Sequence, residues 1–229
     1  KDSMKSRWAE EKRAVAEAAR EIAALGLVAG SSGNVSLRLE QATEREGPLL
    51  AITPSGKPYS TLRDEDIVIV DFDVEPVEGE LVPSSETLLH VGAYRQRSNV
   101  NAVIHTHAVY CSVAAVAGLE IPPIIDEMVV YIGGAIKVSE YGFPSTQELA
   151  DAVCATLGDR NAALIKNHGA IGVGRDLRQA IDVCALVERV AQIYVYASLL
   201  GKVDTLPADA VETELALFRM RQDAKGDGV

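Results

Sequence analysis

The chain of 229 residues is poor in cysteine, poor in basic charge and without a long apolar run. Each shortage removes a class of protein. Its three cysteines, Cys111, Cys154 and Cys184, stand far apart and include no Cys-x-x-Cys pair. An odd, dispersed set of this kind reads as reduced thiols, not as a disulfide framework or a cysteine zinc site. Lys plus Arg number 22 against 33 Asp plus Glu, a formal net charge of −11. Phosphate backbones and anionic headgroups demand clustered cations, and no basic run here exceeds a pair such as adjacent Lys12-Arg13 or Arg95 with Arg97. No nucleic-acid partner and no membrane partner is therefore expected. The apolar stretch 113–125 is broken by Glu120 and two prolines and falls short of a membrane span. Residues 1–13 carry too much charge for a secretory leader, so the expected compartment is the cytoplasm. Internal repeats, low-complexity tracts and a linker long enough for a domain boundary are all missing, which predicts a single domain over residues 1–229, with a core over about 10–200 and a helical tail over about 205–222.

What is present is an alternation of strand-like and helix-like segments. Apolar residues recur at helical spacing over 7–25 and stop at Gly26. Residues 35–39, 49–52 and 67–70 read as strands, with Pro54 to Pro58 as turn chemistry and 71–79 as a polar turn region. Ser84-Ser85-Glu86 looks like a helix start, hydroxyl caps followed by an acid in the first turn, for a helix reaching Arg97. Residues 100–107 and 135–138 follow as strands, with a helix over 108–117 between them. Ser145 is the expected cap of a helix over 146–157. Two strands, 162–166 and 170–173, flank Asn167-His168-Gly169, and helices over 176–200 and 209–222 close the chain. The pattern predicts an α/β domain with helices covering a mixed sheet.

There are only four histidines: His90, His105, His107 and His168. His105-Thr106-His107 ends a strand, where residues i and i+2 point to one face. Two imidazoles so placed can chelate a divalent metal that wants three or four N, O or S ligands. Glu86 on the preceding helix and His168 in a tight turn can complete such a set. A His-x-His pair is equally at home as two half-exposed residues at a strand end, and a turn histidine can be satisfied by backbone. Glu86 and His90 are also i, i+4 on a helix, a chelating spacing that serves as well for a simple hydrogen bond.

Five motifs, in order, resemble those of the class II aldolase/adducin family: Gly33-Asn34-Val35-Ser36, Thr53-Pro54-Ser55-Gly56, Pro83-Ser84-Ser85-Glu86, His105-Thr106-His107 and Asn167-His168-Gly169. The resemblance spans about residues 10–200 and runs nearest to the fuculose-phosphate aldolase branch. It implies a three-layer αβα domain with a central mixed, largely antiparallel sheet, and a homotetramer with active sites at subunit interfaces. It implies zinc, or another divalent ion such as manganese or cobalt, held by Glu86, His105, His107 and His168. His90 matches a histidine that is not usually a ligand. The substrate phosphate is implied to rest on Gly33, Asn34, Ser55, Gly56, Ser84 and Ser85. Glycine backbone N–H groups, small hydroxyls and a helix N-terminus suit an anion, and the same residues are ordinary turn and cap chemistry. Lys57 reads as a solvated loop lysine, and no motif places a lysine for a Schiff base; Lys166 alternates away from the turn that carries His168.

The implied activity is the reversible cleavage of a ketose 1-phosphate to dihydroxyacetone phosphate and an aldehyde, through an enediolate stabilised by the metal. L-fuculose 1-phosphate and a 5-deoxypentulose or methylthiopentulose 1-phosphate are the candidate substrates. Glu86 is implied as the base that moves the carbon proton in the condensation direction. Where the family carries a tyrosine after Ile-Pro, this chain reads Ile121-Pro122-Pro123-Ile124-Ile125-Asp126-Glu127-Met128. Glu127 takes that position when Met128 is aligned, with Asp126 and Tyr131 as substitutes, and an interface carboxylate is the plain alternative. The family's tyrosine near the C-terminus has no match; Phe218 is the aromatic of the last helix. That departure favours an aldehyde half other than that of fuculose. Dehydratase, decarboxylase and epimerase are rivals on the same fold, although epimerases carry Asp where Glu86 stands. A non-catalytic adducin-like binding domain is the rival of another class, and the three metal histidines oppose it.

Overall fold

Strand periodicity sorts the apolar residues into two layers. The computed structural model describes residues 6–40 and 47–223. In β2 (Leu49–Ile52), Leu49 and Ala51 enter one core cluster while Leu50 and Ile52 enter the other. The same division runs through β3 (Val68–Asp71), β5 (Ala102–Thr106) and β6 (Ala162–Ile165). With β1 (Asn34–Leu39), β4 (Pro76–Glu78) and β7 (Gly169–Gly174) they form one seven-stranded sheet, ordered β4-β3-β2-β1-β5-β7-β6. Every neighbouring pair is antiparallel. The expected mixed character reduces, among the described residues, to an isolated parallel bridge between Val138 and Leu164.

One face of the sheet is covered by α1 (Ala9–Ala24), α3 (Val109–Ala117), α4 (Asp126–Ile132) and α6 (Leu177–Leu199), whose Val15, Ile22, Met128 and Val187 join Ala51 and Ile104. The other face is covered by α2 (Thr87–Gln96) and α5 (Gln147–Leu157), whose Leu89 and Val153 join Leu50 and Val103. Burial of apolar surface on both faces makes the three layers mutually dependent. The last helix, α7 (Ala208–Asp223), buries Phe218, which stands where Gly133 has no Cβ. Among the described residues, no helix is long and apolar enough to cross a membrane.

Local departures from the expected elements have physical reasons. The polar stretch 71–79 holds a two-sided exposed edge strand, β4, that shows no apolar alternation. Asp71 Oδ1 accepts the N–H groups of Asp73 and Glu75 and turns the chain into it. Residues 135–138 pair only through isolated bridges, with Ile136 facing Ile121 and Val138 facing Leu164, so they form no ladder strand. Thr146, not Ser145, caps α5 by accepting the N–H of Leu149, because Ser145 is in the left-handed region at φ 68°. Glu86 is the N-cap residue of α2 and not part of its first turn.

Candidate metal centre

β5 lies between β1 and β7 in the sheet. Its alternation sends His105 to the same face as Val103, toward α2. His107 follows two residues on, past the strand end. The β6–β7 turn carries His168; Asn167 adopts φ 56°, and the His168 N–H donates to Ile165. Gly169 next to it leaves no space for a Cβ against the Thr106 carbonyl. That close approach brings the turn down onto the end of β5. Glu86 enters from the N-terminal end of α2.

The four side chains converge. Glu86 Oε2 lies 3.2 Å from His105 Nε2, and Glu86 Oε1 lies 3.5 Å from His168 Nε2. His105 Nε2 and His107 Nε2 are 2.8 Å apart. One ligand atom from each residue falls within 4.8 Å of all the others. His105 Nδ1 donates to the Ala170 carbonyl at 2.9 Å, so a neutral His105 turns its Nε2 lone pair into the cluster. Lone pairs from imidazole and carboxylate then face one another, an arrangement that a bound cation reconciles. Glu86 Oε1 and His168 Nδ1 are buried without a hydrogen-bond partner, a state that costs free energy unless a further group satisfies it. Three nitrogens and a carboxylate, unsaturated and half-sealed from solvent, fit a divalent metal ion.

Electrostatics agree with ligand chemistry. Burial works to raise the Glu86 carboxyl, but the hydrogen bond and charge of His105, the charge of His168 and the Asn34 amide outweigh it and hold it down to about 2. Burial, with help from His105 and His168 and against Glu86, pushes His107 down to about 4. His168 is shifted down by burial and then by His105. At neutral pH the carboxylate is ionised and these two imidazoles are neutral, the forms that bind metal.

The motifs expected to hold phosphate are laced together beside Glu86. Thr53 Oγ1 accepts the Val35 N–H, Ser84 N–H donates to the Thr53 carbonyl, and Ser55 N–H donates to Val82. Gly33 adopts φ 73°, and an added Cβ there would stand 2.5 Å from the His105 carbonyl oxygen. Gly56 is also left-handed, at φ 72°. Ser55 and Ser85 are exposed, while the Ser84 hydroxyl accepts the Glu86 N–H. The Asn34 side chain is engaged elsewhere: its Nδ2 donates to Glu86 Oε2 and its Oδ1 meets His90. Lys57 pairs with Asp66, and the Lys166 ammonium lies over Gly118 at the end of α3.

Glu127 and Tyr131 stand on α4, outside this cluster. Glu127 pairs with Arg189, and the Arg221 guanidinium covers the Tyr131 ring at 4.6 Å. Both line a groove with Arg175, Arg178, Arg189 and Arg221 that includes none of the four converging residues. Within one chain, then, the second acid/base candidates are not brought to the cluster.

The sequence matches the class II aldolase and adducin N-terminal domain family over residues 13–195. The chain belongs to that family. It is 37% identical over 187 residues to the 5-deoxy-D-ribulose 1-phosphate aldolase of Bacillus thuringiensis serovar kurstaki, covering 82% of this chain and 85% of the relative. It is 36% identical over 207 residues to the 5-methylthioribulose-1-phosphate/5-deoxyribulose-1-phosphate aldolase of Rhodospirillum rubrum, covering 90% of each. A solved L-fuculose 1-phosphate aldolase superposes with a TM-score of 0.84 at 31% identity, covering 92% of this chain and 96% of that one. By this kinship the chain is an enzyme, a class II aldolase.

Ser36 and Tyr94 had no expected role from sequence. Both are fully buried polar residues beside His90. A signal was available: residues 86, 90 and 94 share one helix stripe, and 34 and 36 share one strand face.

Proposed function

We propose that the chain is a metal-dependent aldolase that cleaves a ketose 1-phosphate to dihydroxyacetone phosphate and an aldehyde. The observation that carries this reading is the unsaturated quartet of Glu86, His105, His107 and His168, with Glu86 Oε1 buried without a hydrogen bond. These four residues would hold the ion, for which zinc is our choice and manganese or cobalt the alternatives. A divalent ion there supplies Lewis acidity at the substrate's C2 carbonyl.

The protein's own residues do the rest. Cleavage breaks the C3–C4 bond as the C4 hydroxyl gives up its proton, and C3 then takes a proton to yield dihydroxyacetone phosphate. Glu86, with its free Oε1, handles the proton at C3. Glu127 of a neighbouring copy handles the hydroxyl proton of the aldehyde half, which requires the homotetramer and a site at the subunit interface. Backbone N–H groups at Gly33 and Gly56 and the hydroxyls of Ser55, Ser84 and Ser85 receive the phosphate, with Asn34 joining them through its backbone while its side chain serves Glu86. We assign the whole chain to one cytoplasmic domain.

Our choice of substrate is a 5-deoxypentulose or methylthiopentulose 1-phosphate. The relatives named for these sugars support it, as does the carboxylate of Glu127 where fuculose-specific members carry tyrosine. L-fuculose 1-phosphate is the second reading, favoured by the structural likeness. The test is a panel of ketose 1-phosphates assayed for dihydroxyacetone phosphate. Release from the 5-deoxy sugars is expected. A dehydrated or decarboxylated product, with no triose phosphate from any member, overturns the aldolase reading.

A further inference from the structure

A buried polar relay runs from Glu86 away from the cleft. Asn34 Nδ2 lies 3.1 Å from Glu86 Oε2, and His90 Nε2 lies 2.5 Å from Asn34 Oδ1. Ser36 Oγ then lies 2.6 Å from His90 Nδ1 and 2.7 Å from the Tyr94 hydroxyl. Ser36 and His90 have no exposed surface, and Asn34 and Tyr94 almost none.

The contacts arise from matched spacing. Residues four apart on a helix are separated by about 6 Å, and residues two apart on a strand by nearly the same distance, about 6.6 Å. Glu86 at the N-cap of α2, and His90 and Tyr94 inside the helix, therefore meet Asn34, Ser36 and Arg38 on β1 rung by rung. The third rung is closed by Arg38, which donates to the Tyr94 carbonyl and covers its ring at 4.9 Å.

The direction of every hydrogen bond is fixed by the first. An ionised Glu86 only accepts, so Asn34 must present its NH2 to it and its carbonyl to His90. His90 must then donate from Nε2, which leaves Nδ1 as an acceptor for the Ser36 hydroxyl. Ser36 in turn accepts from Tyr94. Any reversal places two acceptors or two donors together in a site closed to water, which is costly.

We propose that His90, Ser36 and Tyr94 are positioning residues that lock the Asn34 amide in one orientation and so make the two oxygens of Glu86 inequivalent. Oε2, 3.2 Å from His105 Nε2, is anchored by Asn34, and Oε1, which has no hydrogen bond and lies 3.5 Å from His168 Nε2, is the oxygen offered to the metal and the substrate. The inference rests on the metal-dependent reading above.

Titration of the metal-stripped, full-length protein with Co2+, followed by visible absorption, tests it. Outer partners of metal ligands are worth about 10- to 100-fold in metal affinity. His90→Leu, which deletes both hydrogen bonds at the middle of the relay, is expected to weaken cobalt binding at least ~10-fold and alter the spectrum. His90→Gln keeps a donor for Asn34 and an acceptor for Ser36, and is expected to stay within about threefold of the unaltered protein, given the same outer-partner scale. Ser36→Ala removes one internal bond, should fall between them, and makes the same comparison should His90→Leu fail to fold. Equal cobalt affinity in Ser36→Ala, His90→Gln and the unaltered protein, with only melting temperatures changed, overturns the relay. Failure of the unaltered protein to bind cobalt overturns the metal reading itself, and the relay with it.

Discussion

His105 Nδ1 lies 2.9 Å from the carbonyl oxygen of Ala170, across the β5–β7 pairing. That bond sets the tautomer of the imidazole and aims its Nε2 at Glu86 and His107. A ladder contact of the sheet thus prepares a ligand atom. The centre of the site is held by an interior strand of the sheet, while Glu86 and His168 reach it from a helix end and a turn.

Purified protein should carry about one divalent ion per chain, as a four-ligand site predicts. His105→Ala removes one of the ligands and leaves an incomplete site, so metal content and aldol cleavage should fall together. Elemental analysis beside an activity assay checks this. A chelator-insensitive enzyme without metal would sink the site.

The metal-free protein should lose stability as pH falls below about 6.5. Burial first, then the neighbouring His105, against a weaker pull from Glu86, hold His90 down to about 3 from 6.5. The unfolded chain therefore binds a proton at a higher pH than the folded one. The resulting stability is present in full above the unfolded value and is lost as pH drops toward the folded one. Urea unfolding at pH 7.5 and pH 5 should show a large fall in midpoint, and His90→Gln should reduce that fall. Equal pH slopes in the two proteins would refute the assignment to His90.

Glu188 on α6 caps α3 from a distance. Its two oxygens accept the N–H groups of Tyr110 and Cys111, while the N-cap residue, Ala108, has no side chain to do so. Glu188→Ala should cost about 1–2 kcal/mol, the usual worth of a helix cap with a favourable charge. Because α3 starts just after His107, metal affinity should weaken as well. Denaturant titration and metal titration measure the two effects, and a loss below 0.5 kcal/mol (roughly the scatter of ordinary surface changes) would show the cap to be idle.

Glu127→Gln should lower activity by about 100-fold or more, the scale of general acid–base catalysis. The melting temperature should barely move, because its pairing with Arg189 is solvent-exposed and exposed pairs are worth little. Since one chain does not bring Glu127 to the cluster, mixed assemblies of Glu127→Gln with Glu86→Gln should regain activity that neither variant has alone. Homogeneous Glu127→Gln with full activity would remove Glu127 from the mechanism.

Much of this protein was legible in its sequence. Alternation identified β1, a short apolar run before turn residues identified β2, and α6 was expected over 176–200; Asp176 caps that helix from just outside it, by accepting the Gln179 N–H. Residue types made the four converging side chains candidates, and the five ordered motifs that resemble the family joined them into one set, because His and Glu at strand ends and turns serve ordinary hydrogen-bonding tasks as well. The short helix α4 was hidden behind Pro122 and Pro123, and β4 behind its polarity, since both lack the periodic apolar signal that burial writes into longer elements.

Tertiary structure alone decided three things. It took Asn34's side chain for Glu86 and His90, because the rung spacing of α2 matches that of β1. It placed Glu127 beside Arg189, because α4 packs on α6 and away from the cluster. It left one oxygen of Glu86 hydrogen-bonded and the other without a hydrogen bond. Sequence fixes which groups a chain can offer, through local periodicity and chemistry. Which lone pair ends up without a partner depends on packing between segments far apart in sequence, and no local pattern encodes that distance.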